Sequence, residues 1–180
     1  MNIATRILLA LLAAAWAVVP ALAANAPAPA AMEHHAKNWT APGYRIYAQA
    51  LADEIMKAHP ELLSITFHGV PPGTQDAYTM FAGSFPERIG NSDDPDDVDV
   101  QKLGITIVDP RWHRTHDTVK KFVMMMPLRD KAGGNVGLLV AAYKRDPAKT
   151  EKDYFLAGTA LRDSLQKKIP NYDALFAKAK

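Results

Sequence analysis

The chain has 180 residues, 48% of them hydrophobic, and its 21 basic and 19 acidic side chains leave a net charge of +2. That length suits one domain with a real core, and so balanced a charge argues against nucleic acid or an anionic membrane as the main partner. Cysteine is absent, which excludes disulfides, thiolate metal ligands, a cysteine nucleophile and the lipobox of a bacterial lipoprotein.

Arg6 precedes an apolar run from Ile7 to Val19, then Pro20 and the small-residue site Ala21-Leu22-Ala23. A charged start, a short apolar centre and A-x-A define a secretory signal peptide over residues 1–23, cleaved after Ala23. The run is short of the about 20 residues that a membrane span needs. The mature protein is expected to be exported to a periplasm, soluble and not inserted in the membrane. Residues 24–43 read as a flexible arm, Ala/Pro-rich at first and then M-E-H-H-A-K-N-W-T-A-P-G. Its adjacent His34 and His35 offer a metal pair, but on a mobile arm solvation is the simpler reading.

A domain is expected over 44–176, with 177–180 as a tail. Tyr44 to Ala58 has helical periodicity, with Tyr44, Tyr47, Leu51, Ile55 and Ala58 on one face. His59-Pro60 ends it, because the residue before proline avoids the helical region. Leu62 to Val70 alternates Leu63, Ile65 and Phe67 against Ser64, Thr66 and His68, as a strand does. Pro71-Pro72-Gly73 turns the chain, and Asp76 to Ala82 is expected to pair back.

Asn91 to Asp99 carries five aspartates, and the spacing fails an EF-type calcium loop, which wants glycine at position six and glutamate at twelve. A helix start fits better. Asp94 is the N-cap, Pro95 the first helical residue, Asp96 and Asp97 complement the dipole, and Gly104 stops the helix. Ile105 to Val108 is a brief apolar run. The segment D-P-R-W-H-R-T-H-D follows, with His113 and His116 three apart and Arg111 and Arg114 suited to a carboxylate. Phe122 to Leu128 and Val136 to Tyr143 flank Gly133-Gly134-Asn135 as a hairpin. Both faces of the second strand are apolar, so it is expected to be central, covered above and below. Thr150 opens a last helix with the capping pattern T-E-K-D. Its inner stripe is Tyr154, Ala157, Leu161 and Leu165, Pro170 closes it, and Leu175 and Phe176 dock before the tail frays.

These elements make an α+β domain, one antiparallel sheet with a long N-terminal helix and a C-terminal helix. The run M-P-L-R-D-K-A-G-G-N-V-G-L-L-V, the long helix leading into the first strand, and I-G-N-S-D-D-P-D-D before the final strands resemble the single Cache domain, an extracytoplasmic PAS-like sensor fold. The resemblance covers Tyr44 to Pro170. It implies a small ligand, a carboxylate or amino acid, enclosed by the sheet and the segment before the last hairpin. It also implies a separate membrane signalling protein as partner, because no output module follows.

The expected function is therefore non-catalytic binding of a small molecule by a stand-alone periplasmic domain. The pocket is expected between the sheet and Phe85 to His116, with Thr66, His68, Tyr78, Met80, Arg111 and Lys121 as ligand contacts and no cofactor or metal. The alternative is a metal- or haem-binding protein using His68, Met80, His113, His116 or Met124-Met125-Met126. No G-x-S-x-G, H-E-x-x-H or phosphate loop is present, and the chain is not expected to be an enzyme.

Overall fold

The computed structural model describes residues 35–180. The expected signal peptide, the Ala/Pro-rich stretch and His34 lie outside them. Four helices and five strands follow in order: α1 (Tyr47–Ala58), β1 (Leu62–Gly69), β2 (Thr79–Gly83), α2 (Pro95–Leu103), β3 (Ile107–Pro110), β4 (Lys121–Arg129), β5 (Asn135–Lys144), α3 (Glu151–Gln166) and α4 (Tyr172–Phe176). The strands form one antiparallel sheet ordered β2-β1-β5-β4-β3. The fold is α+β, and β5 holds the centre of the sheet as its two apolar faces require.

The two faces differ. Ile65 and Phe67 of β1, Phe122, Met124 and Met126 of β4, and Leu139 and Ala141 of β5 all point to one side and are fully buried. There they join α1, α3 and Leu175 of α4 in one apolar core. The opposite face carries Thr66 and His68 of β1, Val123 and Met125 of β4, and Leu138, Val140 and Ala142 of β5. It is covered by α2, which packs on β4 and β5 and buries Val100. In register across the centre of this second face lie Thr66, Val140 and Met125. Val140 and Met125 remain half-buried, so the cover is incomplete there.

Several boundaries differ from the sequence expectation. α1 begins at Tyr47, its buried stripe is Ala48, Leu51, Ala52 and Ile55, and Tyr44 lies exposed before it. β2 begins at Thr79 because Asp76 takes a positive φ of 52° in the preceding turn. On α3 the buried position is Gly158 and not Ala157. A Cβ at 158 would overlap the Met124 sulfur, so only glycine lets the helix approach β4 this closely. The arm is paired from its first described residues onward. Ser92 N–H donates to Ala36 O at 3.0 Å, and Asn38 N–H to Gly90 O at 2.9 Å. The tail does not fray: Ala179 N–H reaches Arg45 O at 2.9 Å and Tyr47 N–H reaches Ala177 O at 2.8 Å.

Candidate metal centre

β1 sets the site. Strand alternation aims Thr66 and His68 at the second face, where α2 begins. Helix α2 starts as its sequence dictates, with Asp94 at the N-cap in extended conformation, Pro95 first, and Gly104 in the left-handed region at φ 67°. The capping arrangement directs the acidic run in two ways. Asp94 and Asp96 face solvent, whereas Asp93 and Asp97 turn inward to the His68 ring.

The geometry is close. His68 Nδ1 lies 2.7 Å from Asp93 Oδ1 and 3.8 Å from Asp97 Oδ2, and the three side chains are only 8%, 0% and 13% exposed. One donor atom from each falls within 4.8 Å of the others. Each group is also held from behind. Thr66 Oγ1 sits 2.7 Å from His68 Nε2, Gln101 Nε2 donates to Asp93 Oδ2 at 2.7 Å, and Asp94 N–H donates to Asp97 Oδ2 at 3.3 Å. Burial pushes the Asp97 carboxyl above its ordinary range; the His68 imidazole pulls it down, and the charge of Asp93 adds to the rise. Two carboxylates and one imidazole, largely shut away from water, form a mixed oxygen and nitrogen donor set of the kind that holds a divalent cation.

The six expected ligand contacts do not form one site. Thr66 and His68 join the centre, and Met80, the register partner of His68 on β2, is buried beside it. Tyr78 contributes its carbonyl, which accepts from Asp93 N–H at 3.0 Å, while its ring carries Lys102 Nζ 5.0 Å from the centroid. Arg111 and Lys121 lie at the far end of the sheet. Lys121 is in register with Lys144 and His68 with Leu138, six residues apart along β5, or about 20 Å. Arg111 Nε donates to Asp109 Oδ2 at 2.8 Å, and Arg114 Nη2 donates to the same oxygen at 2.7 Å. Lys121 has its ammonium pKa lowered, first by burial and then by Arg111. A small ligand cannot bridge that span, so the expected pocket is divided.

The histidine and methionine alternatives separate as well. Met124 and Met126 are fully buried in the apolar core. His113 is exposed, accepts Trp112 Nε1–H at 2.8 Å and faces Glu151 at 3.3 Å, and His116 is exposed. His35 reaches Asp94 Oδ1 at 3.4 Å and not the inner carboxylates. Two clefts lie elsewhere, one between α1 and α3 lined by Ile55, Ala58 and Leu165, the other beside Lys131, Asp163 and Lys167. None of the six expected contacts lines either.

Sequence reasoning gave Asp97 to the helix dipole and left Asp93 without a role beyond the acidic run. The signal for Asp97 is its spacing, because Asp97, Val100 and Gln101 recur at helical intervals on the inward side of α2, whereas Asp93 precedes the N-cap and is turned inward by the chain before the helix.

No family description matches the chain, and no curated protein does. Among solved structures, the chain is similar to a type II free methionine-R-sulfoxide reductase from Thermoplasma acidophilum, with 12% identity over 69% of this chain and 92% of that one and a TM-score of 0.38. That protein is an enzyme, against the expectation of a non-catalytic sensor without enzymatic activity, and the expectation does not stand. A likeness this distant carries no activity or substrate across to this chain.

Proposed function

We propose that the chain is an exported, metal-dependent enzyme of PAS- or Cache-like build, its divalent cation held by His68, Asp93 and Asp97. The observation that carries this reading is one buried imidazole nitrogen facing two inward carboxylates. Mixed nitrogen and oxygen donors suit zinc, manganese or cobalt better than calcium, which takes oxygen alone. Three protein ligands rather than four is the count of catalytic sites, which keep a position for water or substrate. A cation held by these three residues would supply Lewis acidity. The chain's own residues do the rest. Thr66, Gln101 and the Asp94 amide orient the three donors. Hydrolysis of a small ester or phosphoester is the reaction class that this arrangement serves.

The signal sequence over residues 1–23 supports export, and N-terminal sequencing of periplasmic material should begin at Ala24. The metal reading is tested by calorimetric titration of the chelator-treated mature protein with Zn²⁺, Mn²⁺ and Co²⁺. One equivalent should bind at micromolar concentration or below, and His68→Ala and Asp97→Asn should abolish binding. If no cation binds stoichiometrically to the wild type, the reading fails. If a cation binds but nitrophenyl ester and phosphoester probes are not turned over in a cation-dependent way, the hydrolytic part fails alone.

A further inference from the structure

Thr66 stands behind the His68 ring at this centre, and the argument rests on the metal reading above. His68 is engaged on both ring nitrogens, Nδ1 toward Asp93 at 2.7 Å and Nε2 toward Thr66 Oγ1 at 2.7 Å. A neutral imidazole carries one N–H and one lone pair. With no cation present, the short Nδ1–Asp93 contact demands that Nδ1 carry the hydrogen, because a carboxylate only accepts. In a neutral ring Nε2 then offers its lone pair, to which the Thr66 hydroxyl can donate.

A cation between His68 and the two aspartates needs the Nδ1 lone pair instead. The ring must then carry its hydrogen on Nε2, and the group facing Nε2 must accept. Among common side chains, a hydroxyl does both by rotating about its C–O bond, whereas an amide or a carboxylate has its role fixed at each atom. We infer that Thr66 is a positioning residue that allows the imidazole to change tautomer in place, so that a divalent cation is taken up at Nδ1 without movement of the ring. No atom is gained or lost by the neutral ring in this exchange. The hydrogen leaves Nδ1, one returns to Nε2 through solvent, and the hydroxyl reverses from donor to acceptor. Burial makes the reversal matter, because Thr66 and His68 are 7% and 6% exposed and little water is at hand to replace a missing partner. Outer partners of this kind typically change metal affinity 10- to 100-fold.

Zinc titration of the wild type, Thr66→Val and Thr66→Ser separates this role from packing. Valine keeps the shape and loses the hydroxyl, so its zinc affinity should fall by about 10- to 100-fold, while serine should restore it to within about threefold. Nitrogen NMR of zinc-loaded wild type should show His68 with its hydrogen on Nε2 and the metal on Nδ1. Equal zinc affinity in Thr66→Val and wild type overturns the inference, as does a serine variant as weak as valine, or zinc found on Nε2. A wild type that binds no zinc, manganese or cobalt overturns the parent reading and this one together. A wild type that binds while Thr66→Val is unaffected removes only the role of Thr66.

Discussion

The two faces of the central strands make opposite use of the same backbone. Toward α1 and α3, Ile65, Phe67, Met124, Leu139 and Ala141 are sealed from water, and their contribution scales with apolar area. Toward α2, one residue further along each strand, the side chains are Thr66, His68, Met125 and Val140, two polar and two half-buried. Here stability depends on direction: a hydrogen-bonded histidine is tolerable and an orphaned one is not. A strand that is apolar on both faces therefore need not be equally closed on both. The less closed face is the one on which chemistry has room.

Leu139→Asp breaks the contrast most severely. A charge forced into the sealed face lacks any partner and should unfold the domain, by several kcal/mol in order of magnitude. Val140→Asp, one position along on the half-buried face, should melt far closer to wild type. Equal melting temperatures for the two variants would show that the faces do not differ.

The proposed cation sharpens the second face. Zinc at 100 times its dissociation constant should stabilise the wild type by about 2.7 kcal/mol and leave Asp97→Asn unmoved. Chemical denaturation with and without zinc reads this directly, and an equal rise in both proteins would place the cation elsewhere.

Gly158→Ala probes how tightly the first face is packed. The added methyl meets the Met124 sulfur, and overpacking of this kind costs about 1–3 kcal/mol. Combining it with Met124→Val should return part of the loss, because the two changes share one space. Strict additivity would mean that α3 does not bear on β4 at this point.

The smallest effect separates the helix start from the centre. Asp94→Ala removes the N-cap side chain of α2 and should cost about 1 kcal/mol. Its backbone N–H, the group that holds Asp97, is retained, so zinc affinity should stay at the wild-type value. A parallel loss of zinc binding would show that Asp94 is itself a ligand.

Much of the fold was legible because it is written locally. Asp94, Pro95 and Gly104 mark α2 within eleven residues, and Thr150 with Asp153 marks α3, where the Thr150 N–H donates to Asp153 Oδ2 at 2.8 Å. The position of β5 followed from its apolar faces alone. The centre was half legible: His68 stood out on a polar strand face, yet its partners lie 25 and 29 residues downstream in a run that already had a sufficient local reading. Arg111 and Lys121 were drawn into the same pocket by charge type, and sheet register places them six residues away along β5. Pairing register is a long-range property, and no window around either residue contains it.

The short antiparallel contact between Ile46 and Lys178 brings the residue before α1 and the C-terminal segment side by side, about 5 Å apart between backbones. From Ile46 onward the chain is in effect a closed ring with one seam, and the preceding arm pairs separately with Gly90 and Ser92. Joining the chain across that seam by a few glycines and reopening it in the Gly133-Gly134 turn should yield a circular permutant with the same sheet. By the same reasoning, the domain is suited to insertion as a unit into a surface loop of another protein.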